Sequence, residues 1–310
     1  MSRRALANGM LFLAAFIWGT AFVAQSLGME HIGPFAFQAV RTLFGALALG
    51  IFILIRFLWE KKRGVQRKME KEDWKTLLIG GSLTGAAQGL ASMCQQVGIL
   101  YSTVGNAGFL TSLYLVLVPI LGIFIGRRAR KKDWACVALS AVGVYLISAS
   151  DGLSASKGDL LLIACAFLFS VQILLIDHFT GRLDPISFCG AEMLFSGILC
   201  SIPMLLFEDL STASWKGALP PILYAGILST AVAYTLQIAG QREADPAAAV
   251  LFMSLESVFS MLGGIVVLHQ IPTLKALAGS VLIFAAVLAS QLELSQARSL
   301  FSKNHSEKPY

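Results

Sequence analysis

The chain has 310 residues, of which 56% are hydrophobic and only 14% are charged, and its mean hydropathy is +0.73. A typical soluble domain is about 45–50% apolar and about 25% charged, so this composition excludes a soluble globule, a disordered chain, a collagen and a disulfide scaffold. The formal net charge of +6 would suit nucleic-acid binding, but the basic residues lie in short loops between apolar runs, so no nucleic-acid partner is expected. The remaining class is an integral membrane protein.

Ten apolar runs approach or reach the length of about 20 residues that a membrane-spanning helix needs. In chain order they cover 7–27, 35–58, 75–99, 104–126, 134–149, 159–177, 186–207, 219–239, 247–268 and 275–293. The first run is longer than the apolar core of a signal peptide and other runs follow it closely, so we expect it to be retained. Prolines are expected at or just before helix starts, where a missing N–H costs little: Pro34, Pro185, Pro220, Pro246 and Pro272. The sequence predicts an all-α integral membrane protein with ten transmembrane helices.

The distribution of lysine and arginine predicts the orientation of these spans. With a cytoplasmic N-terminus, 20 of the 24 basic residues fall on the cytoplasmic side, and only Lys157, Lys216 and Lys275 fall on the other side. Arg41 lies within a span. Because cytoplasmic loops carry the excess of basic residues, both termini are predicted to be cytoplasmic in a multi-pass protein of the plasma membrane, with a polar cytoplasmic tail at 294–310.

The two halves of the chain resemble each other. Residues 11–17 match 161–167, Pro34 matches Pro185 at an offset of 151, and Gln96 matches Gln237 at an offset of 141. The sequence therefore predicts two five-helix repeats, at 7–149 and 159–293. Because five is odd, the copies must enter the membrane from opposite sides, as inverted repeats do in many secondary transporters. Chance similarity between apolar segments is the alternative.

Cysteine and histidine residues give no sign of a metal or redox site. The five cysteines lie inside apolar runs without a C-x-x-C spacing, and the histidines lie in loops, at span edges or in the tail. The chain has no G-x-x-x-x-G-K-[ST], H-E-x-x-H or G-x-S-x-G motif. No metal, cofactor or catalytic residue is expected, and the chain is predicted not to be an enzyme.

Three charged residues stand out in the interior of predicted spans, where a charge costs about 2.5–3.5 kcal/mol on insertion scales. Arg41 and Glu192 occupy equivalent positions of the two repeats, and Glu256 lies near the middle of the ninth span. They are candidates for substrate binding, and Glu192 and Glu256 are also candidates for proton coupling. A structural ion pair, a snorkelling arginine or a neutral hydrogen-bonded acid are the alternatives.

Polar and aromatic residues form stripes on the faces of several spans. Such groups must turn toward protein or a water-filled cavity, although they also serve as hydrogen bonds between helices. On the eighth span, Thr230, Tyr234 and Gln237 share the helical spacing i, i+4, i+7. The predicted cavity residues are Trp18, Gln25, Arg41, Gln88, Ser92, Gln96, Asn106, Tyr114, Glu192, Tyr234, Gln237, Met253 and Glu256.

Several motifs in order resemble the EamA-type family of the drug/metabolite transporter superfamily. These are residues 17–20 (Ile-Trp-Gly-Thr), Arg41 seven residues after Pro34, residues 106–111 followed by Val-Pro at 118–119, residues 255–258 (Leu-Glu-Ser-Val) and residues 278–283. The residues 255–258 resemble the family's LEPV motif with serine in place of proline. The Gly-Glu that often ends the fourth and ninth spans is absent, since residues 126–127 are Gly-Arg and 269–270 are His-Gln.

This resemblance implies export or exchange of a small metabolite such as an amino acid or a drug-like compound. The expected mechanism is alternating access around a central cavity between the repeats. A membrane-embedded enzyme and a channel are the alternative functions. The expected partners are a small-molecule substrate and the lipid bilayer, and a homo-oligomer is left open.

Overall fold

A computed structural model describes residues 3–64, 70–126, 131–148, 157–179, 183–244 and 246–289. Helices account for nearly all of these residues, and no strand occurs among them. In chain order the helices are α1 (Arg3–Met29), α2 (Pro34–Lys62), α3 (Lys71–Leu100), α4 (Val104–Thr111, Tyr114–Leu121 and a 3₁₀ segment, Gly122–Ile125), α5 (Lys131–Ser148), α6 (Lys157–Phe179), α7 (Pro185–Phe207), α8 (Trp215–Leu223, the π-helical Tyr224–Ala233 and Tyr234–Glu243), α9 (Pro246–Leu268) and α10 (Leu274–Ala289).

Seven of the described helices are long and apolar enough to cross a bilayer, and three shorter apolar helices accompany them at Trp134–Ile147, Phe252–Leu268 and Leu274–Ala289. The large apolar side chains of α2 and α7 are widely exposed, including Leu54 and Leu205. In contrast, many glutamine, serine and threonine side chains are buried. This distribution, with apolar groups outside and polar groups inside, suits a bundle whose surface faces lipid.

Helices α2 and α7 pack against each other in opposite directions. The C-terminal part of α2 meets the start of α7, where Arg56 Nη1 lies 3.1 Å from Asp184 Oδ1. The start of α2 meets the end of α7, where Glu208 accepts a hydrogen bond of 2.8 Å from the Phe35 amide. Helices α5 and α10 are also antiparallel, because position 143 lies against 283 and position 147 lies against 279.

Several of the remaining contacts fall into related pairs. Helix α3 packs on α6 and α7, while α8 packs on α1 and α2. Likewise, α1 packs on α9, and α4 packs on α6. Each of these contacts has a counterpart in which every helix is replaced by the helix five places away.

Close helix contacts depend on glycine at specific places. A Cβ atom at Gly85 of α3 would lie 2.6 Å from the Glu192 carbonyl oxygen and 2.8 Å from Phe195 Cβ. A Cβ atom at Gly45 of α2 would lie 2.6 Å from Thr230 Cβ. Because no side chain separates the helices there, their backbones approach closely, as small residues allow in membrane bundles.

Asp184 fixes the start of α7 at the edge of the bundle. Its Oδ2 accepts hydrogen bonds from the backbone N–H of Ser187 at 3.1 Å and from the Ser187 hydroxyl at 2.9 Å, which is an N-cap arrangement. Burial by itself raises the pKa of Asp184, but the hydrogen bonds from Ser187 and the charge of Arg56 outweigh it, so the pKa lies below its ordinary value.

The prediction that prolines lie at or just before helix starts is correct at four prolines and wrong at one. Pro34, Pro185 and Pro246 are the first residues of α2, α7 and α9, and Pro272 lies two residues before α10. Pro220 does not begin a helix: α8 begins at Trp215, and Pro220 lies inside its first segment. The five cysteines are free thiols. The predicted tail at 294–310 and the end of the second repeat at 290–293 lie outside the described residues.

Candidate functional site

A cavity lies at the centre of the bundle, with about 580 Å³ of free space including its mouth. Seven helices, α1, α2, α3, α4, α6, α8 and α9, contribute to its wall, so both halves of the chain form it. The lining residues are Trp18, Ala21, Phe22, Gln25, Arg41, Ser92, Gln95, Thr111, Tyr114, Phe169, Gln172, Ile173, Ser229, Tyr234, Gln237 and Glu256. The wall combines one basic and one acidic side chain with amides, hydroxyls and aromatic rings.

Arg41 of α2 is the positively charged group of the cavity wall. Its side chain is 6% exposed, and its Nε donates a hydrogen bond of 2.8 Å to Gln38 Oε1. Gln38 is held in turn by a hydrogen bond of 3.1 Å from its Nε2 to the Thr42 hydroxyl. Among the described residues, every salt bridge involves Arg56 rather than Arg41. The guanidinium is therefore oriented by an amide and is not neutralised by a described carboxylate.

Glu256 of α9 is the acidic group of the same wall. Close contact between α1 and α9 sets its place, since a Cβ atom at Gly19 would lie 2.7 Å from the Glu256 carbonyl oxygen. The Glu256 carboxyl also interacts electrostatically with the hydroxyls of Tyr114 and Tyr234. The cavity therefore presents both a carboxyl group and a guanidinium group to a ligand.

Tyr234 of α8 links three helices at the cavity. Gln88 Nε2 of α3 donates a hydrogen bond of 2.7 Å to its hydroxyl. Its ring meets the Trp18 ring of α1 edge to face, with 4.9 Å between centroids. The Trp18 indole N–H donates a hydrogen bond of 3.2 Å to the Ser229 carbonyl oxygen. These contacts fix an aromatic wall whose polar atoms are satisfied, as buried tyrosine and tryptophan require.

Eight of the thirteen residues predicted for the cavity line it. They are Trp18, Gln25, Arg41, Ser92, Tyr114, Tyr234, Gln237 and Glu256. The other five, Gln88, Gln96, Asn106, Glu192 and Met253, are buried outside the lining.

Three of these five residues touch lining residues. Gln88 bonds to Tyr234, and Glu192 Oε1 accepts a hydrogen bond of 2.6 Å from Gln172 Nε2. Met253 lies with its sulfur 3.9 Å from Gln237 Nε2. Asn106 lies in the first turn of α4, where its backbone N–H donates to the Thr103 hydroxyl. Gln96 is fully buried with both amide atoms unpartnered.

The π-helical segment of α8 explains one difference between the pattern and the structure. In a π-helix the repeat is i to i+5, so Ser229 rather than Thr230 shares a face with Tyr234. Accordingly Ser229 lines the cavity, whereas the Thr230 hydroxyl bonds back to the Ala225 carbonyl oxygen at 2.8 Å. No local sequence signal distinguishes this segment from an ordinary helix.

Other lining residues were missed because they do not stand out in the sequence. Phe22, Phe169 and Ile173 are apolar residues in apolar helices. Gln172 had a usable signal, since it is an amide in the middle of the apolar α6. Among the described residues, no group of three or more His, Cys, Asp or Glu side chains could hold a metal ion.

The fold and this polar cavity within an apolar bundle define a multi-pass membrane protein of the transporter class. The model of the EamA-like transporter family matches the chain twice, over residues 5–149 and 156–290. The chain therefore belongs to the EamA-like transporter family, within the drug/metabolite transporter superfamily that its motifs resemble.

Curated relatives extend over most of the chain. An uncharacterized transporter of Archaeoglobus fulgidus is 30% identical over 293 residues, which are 94% of this chain and 88% of the relative. The uncharacterized inner membrane transporter YedA of Escherichia coli K12 is 23% identical and covers 91% of this chain and 90% of its own length. A solved crystal structure with 21% identity superposes with a TM-score of 0.65, covering 94% of this chain and 99% of the solved one, which supports the fold.

Proposed function

We propose that the chain is a secondary transporter that exports or exchanges a small zwitterionic metabolite, such as an amino acid or a drug-like compound, by alternating access. The observation that carries this proposal is the central cavity, whose wall joins both halves and contains Arg41 and Glu256. Polar groups buried in a membrane bundle are costly and mark a substrate pathway by default.

The alternating-access part of the proposal requires two inverted five-helix repeats and ten spans. The antiparallel pairs α2–α7 and α5–α10 support it, because a twofold axis in the membrane plane places equivalent helices in opposite directions. The paired contacts α3–α6 and α8–α1 support it as well, as does the separate match of the family model to each half.

The proposed orientation has both termini in the cytoplasm of a cell whose plasma membrane holds the protein. The excess of basic residues in the predicted cytoplasmic loops supports it. Contacts near the helix ends agree with the division of these residues between two opposite faces. Gln270 accepts a hydrogen bond of 3.0 Å from the Val104 amide, and both residues belong to the proposed outer face. Arg56 and Asp184 both belong to the proposed cytoplasmic face.

The proposed substrate class follows from the two charges of the cavity. A guanidinium suits a carboxylate because its N–H groups bind both oxygens, and Arg41 has no described carboxylate partner. Glu256 suits an ammonium group. The rings of Trp18, Tyr114 and Tyr234 provide an apolar wall for the remainder of the molecule.

Counterflow in proteoliposomes tests this function. Vesicles that contain the purified protein are loaded with a mixture of unlabelled proteinogenic amino acids, and entry of each radiolabelled amino acid is measured. We expect saturable entry that depends on the internal amino acid, and loss of at least tenfold in Arg41→Gln. Arg41→Lys retains the charge but not the planar guanidinium, so its rate of entry should lie between those of the wild type and Arg41→Gln.

The control variant is Lys216→Gln, which removes a charge from a residue outside the cavity lining. Non-saturable flux without counterflow would indicate a channel and refute the proposal. A second set of test compounds consists of those enriched in the medium of cells that overproduce the wild-type protein, relative to cells that overproduce Glu256→Gln. If neither the amino acids nor these compounds show counterflow, the proposal is refuted as well.

A further inference from the structure

Glu192 is a buried carboxyl group that the proposed substrate site does not use. It lies on α7 with no exposed surface. Its Oε1 accepts the hydrogen bond from Gln172 Nε2 at 2.6 Å, while its Oε2 has no partner. No salt bridge of the described residues includes Glu192. One oxygen of a fully buried carboxyl group is therefore left free.

A bare negative charge at this place is strongly disfavoured. Moving an ionised carboxylate out of water without a compensating partner is among the most costly burials in a protein. A single hydrogen bond from a neutral amide does not neutralise the charge. The carboxyl group therefore requires a proton or another cation, and the unpartnered Oε2 is the acceptor available to it.

The described groups around Glu192 do not supply that positive partner. Helix α8 presents the Tyr234 hydroxyl, which interacts electrostatically with both Glu192 and Arg41 of α2. On α7 itself, Cys189 lies one turn away. Helix α3 packs its glycines against the Glu192 backbone, and α6 contributes the uncharged Gln172. Among the described residues of this region the cation is Arg41, and its Nε donates to Gln38.

Two further unpartnered oxygens lie on the helices that meet here. Ser196 Oγ lies one turn after Glu192 on α7, and a Cβ atom at Gly89 of α3 would lie 3.2 Å from it. Gln88 Oε1 lies on α3, and the Nε2 of the same amide bonds to Tyr234. Both oxygens are buried without a partner. Carboxylate, amide and hydroxyl oxygens are the ligands that hard cations prefer.

We propose that Glu192 is a binding site for a monovalent cation, either a proton or Na⁺, and that Gln172 is the positioning residue between this site and the substrate cavity. Gln172 lines the cavity and donates to Glu192, so rotation of its side chain opens the carboxyl group to the cavity. The cation can then enter or leave only when the cavity is accessible. This inference rests on the proposed transport function, for which it supplies the coupling ion.

Two measurements on the purified full-length protein in lipid nanodiscs test the site without any substrate. The first follows the infrared C=O band of protonated carboxyl groups as pH is varied. The second compares the melting temperature in NaCl with that in choline chloride at equal ionic strength. We expect at least one response in the wild type, and its loss in Glu192→Gln, which keeps the acceptor for Gln172 but not the charge.

Control variants separate this site from the cavity and from folding defects. Glu256→Gln removes a different carboxyl group and should leave the Glu192 response in place. Gln172→Ala keeps the Glu192 carboxyl group, so we expect the response to remain, with its pH midpoint or its Na⁺ dependence shifted. A purely structural role of Gln172 would move neither quantity. If Glu192→Gln does not fold, Gln172→Ala alone decides the question.

The outcomes are distinct. A pH-dependent band without a Na⁺ effect identifies a proton site, and a melting temperature raised by Na⁺ identifies a sodium site. The proposal is overturned if wild type and Glu192→Gln respond alike to both pH and Na⁺, or if Gln172→Ala leaves both responses unmoved. Because these measurements use no substrate, a negative result would refute the cation site without refuting transport. Absence of counterflow, in turn, would refute the transport function without refuting cation binding.

Discussion

The contact between α3 and α7 can be tested by adding a single methyl group. Gly85→Ala places a Cβ atom 2.6 Å from the Glu192 carbonyl oxygen, 2.8 Å from Phe195 Cβ and 3.1 Å from the Ser196 amide nitrogen. Two of these neighbours are backbone atoms of one helix, so no single side chain can move aside. We expect α7 to be displaced as a unit and the protein to be less stable.

The size of the effect follows from two opposing terms. Overpacking by a methyl group costs about 1–3 kcal/mol, and backbone neighbours favour the upper part of that range. Replacing a helical glycine by alanine stabilises a helix by about 0.5–1 kcal/mol. We therefore expect Gly85→Ala to lower the free energy of unfolding by about 1–2 kcal/mol.

Gly50 of α2 is the matched control. A Cβ atom there would meet nothing within 4 Å, so Gly50→Ala should keep only the helix term and stabilise the protein by about 0.5–1 kcal/mol. Unfolding by sodium dodecyl sulfate in mixed micelles, followed by circular dichroism, measures both variants. If Gly85→Ala is as stable as Gly50→Ala, the close contact of α3 with α7 is not present in the protein.

Three further predictions concern the ends of the bundle. Asp184→Asn should remove a stabilising contribution that depends on pH. Because the pKa of Asp184 is lower in the folded state, this contribution is complete above the ordinary carboxyl pKa of about 3.9 and is lost as pH falls below it. Melting curves between about pH 5 and pH 3 measure the difference in stability between wild type and variant. Glu208→Ala should speed hydrogen–deuterium exchange at the Phe35 amide by about fivefold or more, since an N-terminal cap contributes about 1 kcal/mol. In a variant without the native cysteines, Thr212→Cys should react with an impermeant maleimide added outside cells, and Gly64→Cys should not.

Each of these predictions has a control and a contrary result. A difference between wild type and Asp184→Asn that stays constant down to about pH 3 would contradict the lowered pKa. Asp209→Ala removes the acceptor of the Ser211 amide and should speed exchange there but not at Phe35. If Gly64→Cys reacts with the external maleimide and Thr212→Cys does not, the orientation in the membrane is the opposite of the proposed one.

The class of the protein was accessible from the sequence because the bilayer constrains composition so strongly. Long apolar runs separated by basic loops permit almost no other structure than a helical membrane protein, and the family resemblance agrees with the family match. Charged residues in such runs are rare and costly, which is why Arg41 and Glu256 could be selected as candidates before any contact was known.

Predictions from the local sequence pattern were wrong at two places in α8. Pro220 suggested a helix start, but the preceding residues continue the helix back to Trp215. Thr230 was placed beside Tyr234 by the spacing of an α-helix, whereas the π-helical segment puts Ser229 there. This π-helical segment contacts α1 and α2, which are distant in the sequence.

The sequence by itself determined that this chain is built of apolar helices, that its halves are similar, and which polar residues are too costly to be buried in lipid without a purpose. It did so because hydrophobicity and helical periodicity are properties of the chain alone. Only the tertiary structure decided which polar residues share the cavity: it left Glu192 behind Gln172 and brought Ser229 and Phe169 to the wall. Which faces meet depends on how closely helices approach at glycines far apart in the chain, and no single segment contains that information.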